Sequence, residues 1–148
     1  MKQNEYRAQI IQFIVMLIIG IFLNPMNVLV YNVSDLYFSL TLFYGGLFMA
    51  SNMMWAHQIV HYLTMGHFNV NIFLVGVVLS LLVTFGLLRN QLLVDDKQWL
   101  RRMIPHHSTA LTTSYKIYNS TKNKKVKKLA KEIIDSQTKE IRLMKSIV

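Results

Sequence analysis

Three long apolar segments constrain this chain more than any other feature of its sequence. They run from about residue 10 to 30, 36 to 63 and 70 to 88, and each reaches the roughly 20 residues that cross a bilayer. Because the apolar residues come in blocks, they favour helices embedded in lipid over one soluble core. We therefore predict an all-α integral membrane protein with about three transmembrane helices over residues 1–94, in a cellular or viral membrane.

The first apolar segment is interrupted at Asn24 and Pro25, so it needs a kinked helix to cross the membrane. It follows Lys2 and Arg7 as a signal peptide would, but no small-residue cleavage site follows it. We expect it to be retained. Glycines within the spans predict packing against further copies of the chain, as a homo-oligomer: they are Gly45, Gly46, Gly76 and Gly86.

The polar last third carries nearly all of the charge. Thirteen of the sixteen basic residues and five of the seven acidic residues follow Val94. Such a cationic segment attracts anionic lipid headgroups, and nucleic acid as well. We predict a lipid- or polyanion-binding surface formed by Lys122, Lys124, Lys125, Lys127, Lys128 and Lys131.

The pattern of residues 95–148 predicts a C-terminal antiparallel helical hairpin. Asp95 can cap a first helix, and a second amphipathic helix begins near Val126. The polar residues 119–123 between them form the turn. Pro105 either begins a helix of its own or interrupts one that starts at Asp95.

The run Met-Ile-Pro-His-His at residues 103–107 places a thioether and two imidazoles within one helical turn. Soft sulfur together with imidazole nitrogen favours copper, especially copper(I). The chain contains no cysteine, so the sulfur must come from methionine. We predict copper as the cofactor, with Met103, His106, His107 and Met144 as ligands.

Two polar residues of the second helix are predicted to orient the imidazoles. Folding about residues 121 and 122 places Glu140 opposite Met103 and Gln137 opposite His106. As hydrogen-bond acceptors, Glu140 and Gln137 could fix the ring orientations of metal-bound histidines.

A second set of candidate ligands recurs every four residues at the end of the middle segment. His57 and His61 have the spacing of a two-histidine chelate, and His67 could fold back as a third ligand. The alternative is structural, because methionines also fill gaps between packed helices. The secondary metal candidates are Met53, His57, His61, Met65 and His67.

Enzyme motifs are missing from this sequence. It has no nucleophile elbow, P-loop or dinucleotide-binding motif. The Glu-x-x-His pairs of di-iron bundles are absent, and five histidines are too few for the desaturase-like di-iron enzymes that the His57 and His61 spacing resembles. We predict that the protein is not an enzyme.

The last third resembles the domain-of-unknown-function family numbered 305, through two motifs in the right order. Residues 103–107 match its Met-Ile-Pro-His-His motif, and residues 133–144 match its paired aliphatics followed by Gln, Glu-Ile and Met. The resemblance implies a ferritin-like helical hairpin, often exported or membrane-anchored, with some members binding copper. It implicates Met103, His106, His107 and Met144, whereas Thr113 stands where many relatives have methionine.

Two functions from different classes follow from these features. The first is a small membrane protein whose hairpin binds or buffers copper. The second is a structural or scaffold membrane protein whose basic hairpin docks on a protein partner, anionic lipid or nucleic acid. The excess of Arg89, Lys97, Arg101 and Arg102 over Lys2 and Arg7 favours a cytoplasmic hairpin, although the family resemblance favours an exported one.

Overall fold

The computed structural model describes residues 2–148, with side chains from Gln3 onward, and this part of the chain is helical without a strand. The predicted all-α class is therefore confirmed. The side chain of Lys2, one of the basic residues from which we predicted the membrane orientation, lies outside the described residues. The helices are α1 (Lys2–Phe22), α2 (Pro25–Val28), α3 (Leu40–Met65), α4 (Val70–Leu81), α5 (Asp96–Ser120) and α6 (Lys124–Ile147). A 3-10 turn covers Val33–Asp35, and α4 continues into a π-helical stretch over Leu82–Leu88.

The chain divides into two compact units. The first contains the residues up to Leu23 together with Leu40–Leu93, and the second contains Asn24–Ser39 together with Val94–Val148. Residues 24–39, which the apolar pattern places among the membrane segments, thus pack with the C-terminal helices. One reason is an ion pair between the buried Asp35 carboxylate and Lys145 of α6, which no local sequence pattern predicts.

In the first unit, α3 packs against both α1 and α4. Two glycines allow the close approach of these helices. A Cβ atom at Gly46 would lie 2.7 Å from Cγ1 of Ile21, and one at Gly76 would lie 2.8 Å from the backbone nitrogen of Trp55. Gly46 and Gly76 therefore serve contacts within the chain, whereas a Cβ atom at Gly45 or Gly86 would meet open space.

Two helical stretches in the described chain, Gln3–Val28 and Val70–Leu88, are long and apolar enough to cross a membrane, judged by length and composition alone. Only about a fifth of each stretch is buried, and the rest is half-buried or exposed. The α3 helix, at the place of the predicted second span, is not one of them, because polar residues such as Asn52, His57 and Gln58 interrupt its apolar sequence.

In the second unit, α5 and α6 pack along each other and share one apolar core. The Asp95 side chain accepts a hydrogen bond from the backbone N–H of Gln98 at 2.7 Å, so it caps α5. The α5 helix runs continuously through Pro105, which is buried. After a three-residue connection, Asn123 caps α6. The core residues are Leu100, Ile104, Leu111, Ile134, Ile141 and Met144.

Residues 24–39 are fixed to α5 and α6 by a buried polar cluster. The Asp35 carboxylate, whose residue is 1% exposed, forms an ion pair with Lys145. Ser108 Oγ donates a hydrogen bond to Asp35 Oδ2 at 2.6 Å and accepts one from the backbone N–H of Tyr31 at 2.9 Å. The buried carboxylate thus has a partner on α5 and another on α6, as a buried charge requires.

Candidate metal centre in the helical hairpin

The predicted copper ligands Met103 and His107 lie one turn apart on α5 and face the interior of the hairpin. His107 Nδ1 is 3.0 Å from Glu140 Oε2 on α6. Glu140 is four residues before Met144, which is buried in the hairpin core, and Met103 packs against the same core. Two thioethers and one imidazole from facing helices therefore lie along one side of the shared interface.

The interior position of His107 controls its charge. Its side chain is 13% exposed, and burial lowers the pKa of the imidazole below its ordinary value. The nearby Glu140 carboxylate opposes this effect, and His106 adds to it by repulsion between the two rings. His107 is therefore neutral at neutral pH, which is the form that binds a metal ion.

His107 Nδ1 lies at ion-pair distance from Glu140, but this buried atom has no hydrogen-bond partner of suitable geometry in the described part of the chain. In metal sites, a carboxylate beside one ring nitrogen often orients the imidazole so that the other nitrogen binds the ion. Glu140 is close enough to His107 for this role, although no hydrogen bond fixes the tautomer of the ring.

The structure changes the register that we predicted for the hairpin. Glu140 contacts His107, whereas we predicted it opposite Met103, one helical turn earlier on α5. The connection Thr121–Asn123 lies where we predicted the turn, so the position of the turn alone does not determine which side chains meet. Gln137 lies half-buried on α6, one turn before Glu140.

His106 occupies a different environment from His107. It is exposed, and its ring centroid lies 5.7 Å from that of His107. The structure thus places Met103, His107 and Met144 along the interface between the helices, whereas His106 faces outward.

The secondary histidines in the first unit form a row at the end of α3. Ring centroids are 5.8 Å apart for His57 and His61, and 5.5 Å apart for His61 and His67. His61 Nδ1 is 3.1 Å from the His67 carbonyl oxygen, and His67 Nε2 is 3.7 Å from Glu5 Oε2. Glu5, distant in sequence, was not among the predicted residues. Met53 is half-buried and Met65 is 74% exposed.

Across residues 3–148, no group of three or more His, Asp or Glu side chains is arranged to hold a metal ion. Neither histidine region therefore offers a site of nitrogen and oxygen donors alone. A metal site in the hairpin would therefore need its two thioethers, a donor type that favours copper(I) over zinc or iron.

The predicted polyanion-binding lysines are exposed along the start of α6 and the preceding connection. Lys128 and Lys131 pair with acidic residues one turn later, at 3.9 Å from Glu132 and 2.7 Å from Asp135. Lys127 Nζ lies 5.0 Å from the centroid of the Tyr118 ring. Half of the six predicted lysines thus have partners within the hairpin, which reduces the free charge of this surface.

Comparison with known proteins gives two matches. The family model described as "Domain of unknown function (DUF305)" matches residues 88–148. The chain is also similar to "Uncharacterized protein L153" of Acanthamoeba polyphaga mimivirus, with 34% identity over 129 residues, which is 86% of this chain and 82% of that protein. No solved structure matches the chain. The second match extends beyond the hairpin into the helices of the first unit.

Proposed function

This chain belongs to the DUF305 family, and we propose that it is an integral membrane protein whose C-terminal hairpin binds or buffers copper(I). The observation that carries the proposal is the contact of 3.0 Å between His107 and Glu140, beside Met103 and Met144. The contact brings the His107 imidazole to α6, while Met103 and Met144 bring a thioether from each helix to the same hairpin core.

The donor set fits a soft, monovalent ion. Thioethers are neutral, and a neutral imidazole adds no charge, so Met103, His107 and Met144 would hold copper(I) without deprotonating any ligand. By holding the ion, the hairpin would store copper or pass it to another protein. His106 lies outside this group of three because its side chain faces solvent.

The first unit supports the membrane part of the proposal. Large aliphatic side chains are exposed on α1 and α4, including Ile14, Ile18 and Val78. Exposing this apolar surface to water costs free energy, whereas contact with lipid chains does not. The polar side chains of α3 face inward instead: Gln58 is 2% exposed and its side-chain oxygen accepts a hydrogen bond from the Asn69 backbone. Polar groups in membrane proteins prefer such interior positions.

We accordingly propose three spans, formed by α1, α3, and α4 with its π-helical extension; the residues after α1, which we predicted to complete the first span, pack with the hairpin instead. The polar groups of α3 are tolerated because they are directed into the bundle. The basic residues that follow α4 favour a cytoplasmic hairpin, as the charge rule predicts.

The test is a titration of the full-length protein with copper(I) against a chelating competitor. The variant Met103→Leu/His107→Gln/Met144→Leu keeps the volume of the core while it removes all three donors. We expect its affinity to fall by more than about 100-fold, since even indirect partners of metal ligands affect affinity by about 10- to 100-fold.

The matched control variant is Met53→Leu/His61→Gln/Met65→Leu, which makes the same chemical changes in the first unit. It should bind copper(I) like the wild type. Equal affinity of the hairpin variant and the wild type would end the proposal, and a loss confined to the control variant would move the site to the first unit.

The exposed lysines of the hairpin favour a second candidate function, a scaffold that docks on a protein partner, anionic lipid or nucleic acid. Lys122, Lys124 and Lys125 are exposed and carry the free charge of this surface. Docking of this kind weakens as salt screens the charges. Binding to anionic vesicles that is unchanged between low and high salt would argue against it.

A further inference from the structure

A groove between α5 and α6 has a chemistry that neither proposed function uses. Its volume is about 430 Å³, and it lies beside the tyrosines of α5 and the middle of α6. Tyr31, from the segment before α3, stacks on Tyr115 with ring centroids 5.0 Å apart and planes 19° apart. The lining side chains with polar atoms are Tyr115, Tyr118, Lys131, Asp135, Thr138, Lys139 and Arg142.

The charges of this groove are unequal. Lys131 Nζ lies 2.7 Å from Asp135 Oδ1, and this hydrogen bond raises the pKa of Lys131. That pair neutralises itself. Lys139 and Arg142, one turn apart on α6, form no ion pair with any residue from 3 to 148. The groove therefore presents two uncompensated positive charges on one wall.

The opposite wall supplies neutral donors and apolar surface. Tyr115 and Tyr118 are half-buried, and their rings form part of the hairpin core boundary. A phenol at the edge of a core keeps its hydroxyl available to a polar ligand while its ring packs against apolar neighbours. Two free cations and two phenols along one groove match a ligand with two negative charges and several acceptor oxygens.

We propose that this groove binds a phosphoryl group, presented either by the phosphomonoester headgroup of a lipid or by a soluble phosphate ester. A phosphate monoester carries about −1.5 to −2 charge at pH 7 and three acceptor oxygens, which fits the two free cations. The Arg142 guanidinium can donate two parallel hydrogen bonds to phosphate oxygens, and Lys139 adds a compact charge. The inference is independent of copper, because it uses none of the proposed metal ligands.

The experiment uses the full-length protein in phosphatidylcholine nanodiscs, with a copper chelator present throughout. Isothermal titration calorimetry measures the binding of phenyl phosphate. The variant Lys139→Gln/Arg142→Gln is compared with Lys97→Gln/Lys116→Gln, which removes the same charge from exposed sites outside the groove. We expect the groove variant to weaken binding by at least about tenfold, and the control by less than about twofold, because specific charge-assisted hydrogen bonds are lost only in the former.

Nanodiscs that contain phosphatidic acid, a phosphomonoester lipid, distinguish the two sources. Phosphatidylglycerol nanodiscs of similar charge provide the control for surface repulsion. Weaker phenyl phosphate binding in phosphatidic acid than in phosphatidylglycerol supports a lipid headgroup, and equal binding supports a soluble ester. Absence of binding in phosphatidylcholine, or equal weakening by the two variants, would overturn the inference. Failure here would leave copper(I) binding unaffected, so the two proposals are tested separately.

Discussion

Replacement of Lys145 by methionine should release residues 24–39 from the hairpin without unfolding α5 or α6. Methionine preserves most of the side-chain volume and removes the charge that pairs with Asp35. The Asp35 side chain is only 2% exposed, so its carboxylate would stay buried with the Ser108 hydroxyl as its remaining partner. A buried charge without a counterion is the most costly element of such a cluster.

The magnitude follows from the exposure of the two partners. Breaking a fully buried ion pair costs about 3–5 kcal/mol, and an exposed pair contributes about 0–1 kcal/mol. Because the Lys145 side chain is 32% exposed, we expect about 2–3 kcal/mol. Since each 1.4 kcal/mol is tenfold, local opening of the segment should increase by about 30- to 150-fold.

Native-state hydrogen exchange measures this opening at individual amides. The Tyr31 N–H donates to Ser108 Oγ, and the Asp35 N–H donates to the Asn32 carbonyl at 2.9 Å, so both should exchange faster in Lys145→Met. Amides within α6 should keep their protection. The double variant Asp35→Asn/Lys145→Met should recover part of the loss, because it buries no charge.

Lys128→Met is the matched control, because Lys128 pairs with Glu132 on the exposed side of the same helix. Such an i, i+4 pair contributes about 0.3–0.5 kcal/mol, so exchange at Tyr31 and Asp35 should not change. The reasoning would be refuted if Lys145→Met accelerated these amides by no more than Lys128→Met does.

Three further predictions concern charge and packing. Glu140→Gln should lower the pKa of His107 further in an NMR titration, because the carboxylate raises it; an unchanged value would contradict the contact. Burial lowers the folded-state pKa of His107, so its contribution to stability is complete above about pH 6.5 and is lost as the pH falls toward the folded value. His107→Gln should reduce this loss in denaturation curves. Gly76→Ala should destabilise the first unit by about 1–3 kcal/mol through overpacking, whereas Gly86→Ala should not, as thermal unfolding would show.

The hairpin could be predicted from the sequence because its signals are local. A helix cap such as Asp95 depends on a side chain and a backbone N–H only three residues apart, so its pattern is visible in the sequence. The same holds for the spacing of Met103 and His107, which fixes their common face. The pairing of side chains across the hairpin was harder to predict, because it depends on the conformation of the connection Thr121–Asn123, which no local pattern fixes.

Long-range contacts were not accessible from one sequence. Asp35 and Lys145 are separated by most of the chain, and Asp35 occurs in an irregular stretch with no periodic pattern. The contact between Glu5 and His67 is similarly distant. The sequence held one indication of the Asp35 contact, because an acidic residue between apolar segments needs a partner if it is buried.

The two cations of the groove could be seen in the sequence, but nothing there distinguished them from the other basic residues of the hairpin. Lys139 and Arg142 have the i, i+3 spacing of one helix face, but the denser lysines near residues 122–128 led us to predict the anion-binding surface there. Only the fold shows that Lys131 is neutralised by Asp135, while Lys139 and Arg142 line a groove together with two tyrosines. Charge density in sequence is therefore a poor guide to free charge on the surface.

X-ray absorption at the copper edge tests the central proposal most directly, because it identifies the atoms bound to the ion. For the full-length protein loaded with one equivalent of copper(I), we predict sulfur and nitrogen neighbours together. The sulfur contribution should disappear in Met103→Leu/Met144→Leu and persist in Met53→Leu/Met65→Leu. A copper environment of nitrogen or oxygen alone, or one that the hairpin variant leaves unchanged, would contradict copper binding between α5 and α6.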